Sequence, residues 1–204
     1  MSTHKVISVL PLSFHAISDG GFYDGIYFHR VIPNFMNQFG CPYAKDPHSS
    51  RSGTGGPPPD STFTACDGTP QTRNAEGCIV DECTQKISNR AGTLSMANTG
   101  QPESGGSQFF INVAGTYVTC DRDRRLFFSL GIVNLSLTHT CLSSFSITLV
   151  DNTFLDWFDD STESAHPVFG RIIEHYDLVV RISEVPTKND VPVTPIQMLS
   201  IRVE

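Results

Sequence analysis

The sequence predicts one mainly β domain, and three observations support this prediction. The chain has 204 residues, a length that favours a single domain. It contains 16 glycines and 13 prolines, so turns should be frequent. Short apolar runs lie between these turns, a pattern typical of short-stranded β folds rather than of helix bundles.

Composition excludes several classes of protein. Hydrophobic residues make up 39% and charged residues 17%, which fits neither a disordered tail nor a membrane bundle. The net charge of -7 argues against nucleic-acid binding, because phosphate contacts need clustered Lys and Arg. The six cysteines form no C-x-x-C pair, and residues 1–10 carry no apolar signal segment. We therefore expect reduced thiols, no metal and a cytoplasmic location.

The first elements form a predicted hairpin. Residues 26–32 are typical of a strand, Pro33 and Asn34 of a turn, and residues 35–39 of a second strand. A loop rich in glycine and proline follows at 51–59.

Two further strands are predicted over 93–97 and 107–113. In the second of them Gln108, Phe110 and Asn112 should share one face, since side chains two apart on a strand project the same way.

The end of the chain predicts one helix and a closing strand. Apolar residues recur at helical spacing over 177–185, and Asp177 is the predicted N-cap. Residues 192–203 are typical of a strand.

Residues 115–150 do not fit the pattern of the rest of the chain. The run 126–150 has no Asp, Glu, Lys or Arg and is long enough to span a membrane, but its many serines and threonines make it a poor span. Three interpretations stay open at this point. The segment is a membrane anchor, an inserted loop, or an intron translated through an error in the gene model. The last is favoured because the flanking residues would join cleanly.

Five motifs resemble those of one family, in the family's order. FHRVIPNFMNQ at 28–38 resembles the cyclophilin segment F-H-R-x-I-x-x-F-M-x-Q. The others are GTGG at 53–56, LSMAN at 94–98, GSQFFI at 106–111, and the pair WFD at 157–159 and HPVFG at 166–170. The sequence is identified as a member of the cyclophilin-type peptidyl-prolyl cis-trans isomerases over 12–113 and 154–204. The whole chain, 1–204, is then one cyclophilin-like domain interrupted at 115–150.

The resemblance implies an eight-stranded antiparallel barrel with two capping helices. Residues 13–17 resemble the end of the family's first helix. The two strands that precede that helix have no counterpart in residues 1–11, so the barrel should be incomplete at the N-terminus.

The resemblance also implies the active-site residues. Arg30 takes the catalytic position. The substrate-contacting positions are Phe35, Met36, Gln38, Ala97, Asn98, Gln108, Phe110, Trp157, Phe158 and His166. Trp157 falls on the position associated with cyclosporin A binding, and Phe158 replaces the usual leucine.

The implied reaction needs neither a nucleophile nor a cofactor. Rotation about an X-Pro amide is slow because the C–N bond has partial double-bond character, with a barrier of about 18–20 kcal/mol. A site that favours the twisted amide, with a guanidinium as hydrogen-bond donor to its nitrogen, would accelerate rotation. The implied partners are Pro-containing polypeptides and cyclosporin A, and the chain should be a monomer. The alternative function is a non-catalytic module that binds Pro-containing peptides, because the barrel is incomplete.

Overall fold

The strands of the molecule are short and its helices few. The computed structural model describes residues 6–8, 14, 17–18, 20–65, 68–113, 115–120, 124–127 and 145–202. The strands are β1 (Val6–Ser8), β2 (Arg30–Ile32), β3 (Met36–Phe39), β4 (Thr62–Thr64), β5 (Pro70–Thr72), β6 (Thr93–Met96), β7 (Phe109–Asn112), β8 (Gly115–Cys120), β9 (Arg124–Phe127), β10 (Phe145–Val150), β11 (Val168–Ile172), β12 (Thr187–Lys188) and β13 (Val191–Pro192). The α-helix α1 spans Tyr176–Ser183, and 3-10 helices span Pro42–Lys45 and Thr153–Leu155.

The main sheet has six antiparallel strands in the order β1-β11-β6-β7-β3-β2. This confirms the predicted mainly β fold. Within the described residues the sheet does not close into a barrel, and β1 and β2 are its edges. The prediction that residues 1–11 hold no counterpart of the family's first strands is wrong for Val6–Ser8. This segment forms β1 and pairs with Ile172, Arg171 and Gly170 of β11. A three-residue edge strand forms through its hydrogen bonds to the neighbouring strand, so its own sequence is too short to predict it.

The core is an aromatic cluster on one face of the sheet. Rings of Phe14, Tyr23, Phe39, Phe109 and Phe169 lie with their centroids 5.0 to 5.8 Å apart. All of these pairs are tilted or edge-on, and aromatic rings favour such arrangements over a face-to-face sandwich. Side chains alternate along a strand, so Met36 and Gln38 of β3 and Phe110 and Asn112 of β7 face the other side of the sheet.

Helix α1 begins one residue earlier than predicted and ends two residues sooner. Its N-cap is His175, which enters the helix in the left-handed conformation, so the prediction of Asp177 as N-cap is wrong. Asp177 lies in the first turn and pairs with Arg181 one turn later, at 3.5 Å. The side chain of Asn37 on β3 donates to the carbonyl of Val179 at 2.9 Å and so ties the helix to the sheet.

Two predicted strands are shorter than expected. Strand β2 covers only the end of 26–32, and strand β13 only the start of 192–203. The segments outside these strands still run side by side: Met198 accepts from the amide of Gly25 at 2.9 Å and donates to the carbonyl of Ile26 at 2.8 Å. The two segments are thus hydrogen-bonded to each other, but not continuously enough to form one long strand pair. A hydrophobic pattern does not show where such pairing breaks.

The unusual segment 115–150 contributes a separate three-stranded sheet in the order β10-β8-β9. Strands β8 and β10 pair antiparallel from Gly115↔Val150 to Cys120↔Phe145. The two ends of the segment therefore lie side by side where β8 begins and β10 ends. In the part of the chain that the structure describes, no helix is long and apolar enough to cross a membrane.

Deleting residues 115–150 should leave the main domain folded. Paired Cα atoms of adjacent antiparallel strands lie roughly 4.5–5.5 Å apart, and one peptide bond spans about 3.8 Å, so joining 114 to 151 needs only a small adjustment. We expect the free energy of unfolding to change by less than about 1 kcal/mol, and the solubility to improve. Urea denaturation measures the first quantity. A shorter deletion of 121–144, which keeps β8 and β10, is the matched control. Loss of cooperative unfolding in the long deletion alone would show that the two strands are structural.

Candidate active site

The site is built on the face of the sheet opposite the aromatic core. Arg30 on β2 pairs with Gln38 on β3, and Gln38 pairs with Phe110 on β7. These three predicted site residues thus form one row across three strands. Side chains of directly paired residues project from the same face. Arg30 stands at the end of the row, on the edge strand, with 47% of its side chain exposed.

A cluster of apolar side chains adjoins this row; it is the candidate pocket of the site and is called the apolar pocket below. It consists of the buried side chains of Met36, Phe110 and Leu155, with Ile32, Phe35 and Ala97 packed against them. Four of the six were predicted from the sequence: Phe35, Met36, Ala97 and Phe110. Sequence analysis missed Leu155 and Ile32.

Aromatic rings extend the walls of the apolar pocket. The imidazole of His166 lies edge-on to Phe110, with ring centroids 5.4 Å apart. Phe154 stacks on Phe35 at 5.8 Å and keeps 48% of its surface exposed. Phe154 therefore lies where an apolar ligand could contact it, although no motif identified this residue.

Two glutamines and an asparagine shape the polar rim. Gln108 donates from its side-chain nitrogen to the carbonyls of Gly53 and Gly55, both at 2.9 Å, and accepts from Gln38 at 3.0 Å. The predicted glycine-rich loop is thereby fixed beside the Arg30–Gln38–Phe110 row. Asn98 donates to the carbonyl of Ala165 at 2.6 Å, which holds the strand end at 97–98 against the segment that carries His166.

His166 is held as a neutral ring. Its Nδ1 lies 2.9 Å from the carbonyl oxygen of Met96, and because a carbonyl only accepts, Nδ1 carries the hydrogen. Burial lowers the pKa of His166 below its usual value of 6.5, and the hydrogen bond to Met96 opposes this only in part. The ring thus presents an uncharged edge to the apolar pocket.

A buried polar network lies beneath the apolar pocket. Its centre is Asp156, whose carboxylate accepts hydrogen bonds from the hydroxyl of Ser88 at 2.6 Å, from the amide of Asn89 at 2.7 Å and from the side chain of Asn89 at 2.8 Å. Three donors satisfy a carboxylate that is 4% exposed, as burial of a charge requires.

The same network holds two backbone segments of the site. Asn152 donates to the carbonyl of Phe35 at 2.7 Å and to the side chain of Asn112 at 2.8 Å. Asn89 donates to the carbonyl of His166 at 3.2 Å. The walls of the apolar pocket that carry Phe35 and His166 are therefore both fixed by buried amides.

Trp157 and Phe158 are not members of the apolar pocket, and their role as substrate contacts stays a prediction. Their rings contact each other at 5.6 Å, and the indole N–H of Trp157 donates to the carbonyl of Gln85 at 3.2 Å. The 3-10 helix 153–155 instead buries Leu155 in the pocket and directs Asp156 into the polar network. Phe154, Leu155 and Asp156, three residues before Trp157, Phe158 and Asp159, therefore supply the contacts to the apolar pocket and to the polar network.

No metal centre accompanies these groups in the described part of the chain, where no three His, Cys, Asp or Glu side chains come together to hold an ion.

Comparison with known proteins connects this geometry to a family. The family profile for cyclophilin type peptidyl-prolyl cis-trans isomerase/CLD matches residues 12–128 and 115–203. A peptidyl-prolyl cis-trans isomerase of Acinetobacter baylyi is 28% identical over 197 residues, which are 94% of this chain and 72% of that protein. Peptidyl-prolyl cis-trans isomerase B of Bacillus subtilis is 40% identical over 101 residues, or 48% of this chain, and the match spans about half (52%) of that protein's length.

A solved structure supports the same fold. The Cryptosporidium parvum cyclophilin type peptidyl-prolyl cis-trans isomerase, crystallised in the presence of the dipeptide Ala-Pro, superposes with a TM-score of 0.58 at 18% identity. The superposition covers 98% of this chain and 92% of that one. These matches confirm the predicted family, the mainly β fold and the predicted class of enzyme. The chain, with its Arg30–Gln38–Phe110 row beside an apolar pocket, belongs to the cyclophilin-type peptidyl-prolyl cis-trans isomerase family.

Proposed function

We propose that this chain accelerates cis-trans isomerisation of X-Pro bonds in polypeptides, and so assists their folding, with Arg30 as the catalytic donor. The pyrrolidine ring enters the apolar pocket formed by Met36, Phe110 and Leu155. The guanidinium of Arg30 then donates a hydrogen bond to the prolyl nitrogen as the amide twists. That nitrogen becomes an acceptor only when resonance is lost, so the bond favours the transition state over either planar isomer.

The observation that carries this proposal is the position of Arg30. Its half-exposed side chain lies in the same cross-strand row as Phe110, whose ring is one of the three buried members of the apolar pocket. A module that only binds Pro-containing peptides would need the pocket but not a donor at the end of this row. The retained arginine therefore favours an enzyme over the non-catalytic alternative.

A proline-limited peptide assay on the full chain tests the proposal. The uncatalysed step takes about 10–100 s, so acceleration is readily seen. We expect first-order acceleration proportional to enzyme concentration. Saturable binding of an Ala-Pro peptide without any acceleration would establish the non-catalytic alternative instead.

We also propose that cyclosporin A occupies the same apolar pocket and inhibits turnover. Trp157 should not take part, because its N–H is bonded to Gln85 and its ring lies outside the pocket. Phe154 offers the exposed aromatic wall instead. Phe154→Ala should raise the inhibition constant roughly two- to tenfold, the range expected for one aromatic contact.

Trp157→Phe is the matched control for this cyclosporin A prediction, since it removes the indole N–H while keeping a ring. It should leave the inhibition constant unchanged. Weaker inhibition in Trp157→Phe, with Phe154→Ala unaffected, would restore the tryptophan as the ligand contact. A cytoplasmic location and a monomeric state stay predictions, tested by cell fractionation and by light scattering of the purified chain.

A further inference from the structure

The hairpin formed by β12 and β13 places an acidic residue beside Arg30. Thr187 pairs with Pro192 and Lys188 with Val191, which leaves a two-residue loop of Asn189 and Asp190. Both loop residues have positive φ, 51° and 63°, as the tight turn of a two-residue hairpin requires. Asparagine and aspartate are among the few residue types that adopt this conformation readily.

The loop is attached directly to the edge strand β2. The carbonyl oxygen of Asp190 accepts a hydrogen bond from the amide of Val31 at 2.7 Å. Val31 follows Arg30 in the chain, so the backbone of the loop is fixed next to the residue that carries the proposed catalytic group.

The side chain of Asp190 reaches the guanidinium itself. Its Oδ2 lies 3.6 Å from Nε of Arg30, and the two side chains are 49% and 47% exposed. A guanidinium has five N–H donors, one on Nε and four on the two Nη atoms. An ion pair through Nε leaves the Nη groups at the far end of the side chain for a substrate.

We propose that Asp190 is a positioning residue for Arg30, an inference that rests on the proposed function. Arginine has many rotamers, and a donor must occupy one of them when the amide twists. Asp190 selects a guanidinium orientation by charge, and the hydrogen bond from Val31 fixes the loop backbone that carries this carboxylate. The pair adds little to global stability, because exposed ion pairs are weak. Its effect should therefore appear in turnover.

Asp190→Asn tests this inference with the least disturbance. Asparagine tolerates positive φ and keeps the shape, while the charge is lost. We expect kcat to fall by roughly 1.4- to 5-fold, the effect of one exposed ion pair, with KM and the melting temperature unchanged. Salt should also lower kcat of the parent by screening the pair, whereas kcat of Asp190→Asn should be much less sensitive.

Asp177→Asn is the matched control. Asp177 forms the same kind of exposed pair with Arg181, at 3.5 Å on helix α1. This variant should keep the parent's kcat and its salt sensitivity. If Asp190→Asn behaves like Asp177→Asn in an active enzyme, Asp190 does not position Arg30.

A second measurement does not depend on catalysis. The NMR signal of the Arg30 Nε–H group reports side-chain order through its heteronuclear NOE. Asp190→Asn should lower this value for Arg30, and Asp177→Asn should not. An inactive parent would refute the proposed function, and the NOE would still decide the role of Asp190. An unchanged NOE in Asp190→Asn would overturn the inference.

Discussion

Arg30→Ala is expected to lower kcat by two to three orders of magnitude. The guanidinium is proposed to donate a charge-assisted hydrogen bond that forms mainly in the twisted state of the amide. Loss of one preorganised donor of this kind costs about 2.7–4 kcal/mol of transition-state stabilisation. Because this hydrogen bond forms mainly in the twisted state, its loss should change KM little. The measurement is a proline-limited peptide assay, with folding followed by circular dichroism.

Two further variants separate catalysis from folding in this test. Arg171→Ala removes another exposed arginine, from β11, and should leave activity unchanged. Arg30→Lys keeps the charge but not the planar group, and should recover only part of the loss. If Arg30→Ala kept most of the parent's kcat, Arg30 would not be the catalytic donor.

The motifs before residue 113 predicted which of the candidate site side chains lie near one another. Arg30, Gln38 and Phe110 lie in one cross-strand row, and alternation along a strand together with motif order indicates which of these side chains share a face. The apolar pocket residues Phe35 and Met36 followed from the same motif.

The segment after residue 150 was predicted less well. The W-L-D motif was matched to Trp157 because tryptophan is rare. In the structure, however, the buried apolar residue of this segment is Leu155, which belongs to the same cluster as Met36. The identity of a residue in one sequence does not show which of several neighbouring positions is buried. Only the packing of the 3-10 helix 153–155 decides it.

The buried polar network could not be predicted at all. Asn89, Asn112 and Asn152 are residue types that usually mark turns and exposed loops. They meet at hydrogen-bond distance although Asn152 follows Asn89 by more than sixty positions in the chain. Side-chain hydrogen bonds over such separations depend on the tertiary fold and leave no local signal.

His29 should make the protein less stable in acid. It is buried, at 8% exposure, and neither ring nitrogen meets hydrogen-bond geometry with a described residue, although the side chain of Gln108 lies close enough to favour the charged ring. Burial lowers its pKa from 6.5 to about 4; the side chain of Gln108 opposes this, and the charge of Arg30 adds to it. As the pH falls from 6.5 to 4, the unfolded chain binds a proton that the folded chain does not, so stability falls. At about 1.36 kcal/mol per pKa unit, the free energy of unfolding should drop by roughly 3 kcal/mol.

Urea denaturation at pH 7, 5.5 and 4.5 measures this dependence. His29→Leu removes the titrating group from its buried position, so most of the drop should disappear, whatever the variant's stability at pH 7. A smaller drop should persist from His166, whose pKa is also lowered by burial. His48→Leu, at an exposed position, is the control and should follow the parent at every pH. An equal drop in His29→Leu and in the parent would mean that the acid sensitivity comes from other groups and that the His29 ring is solvated in solution.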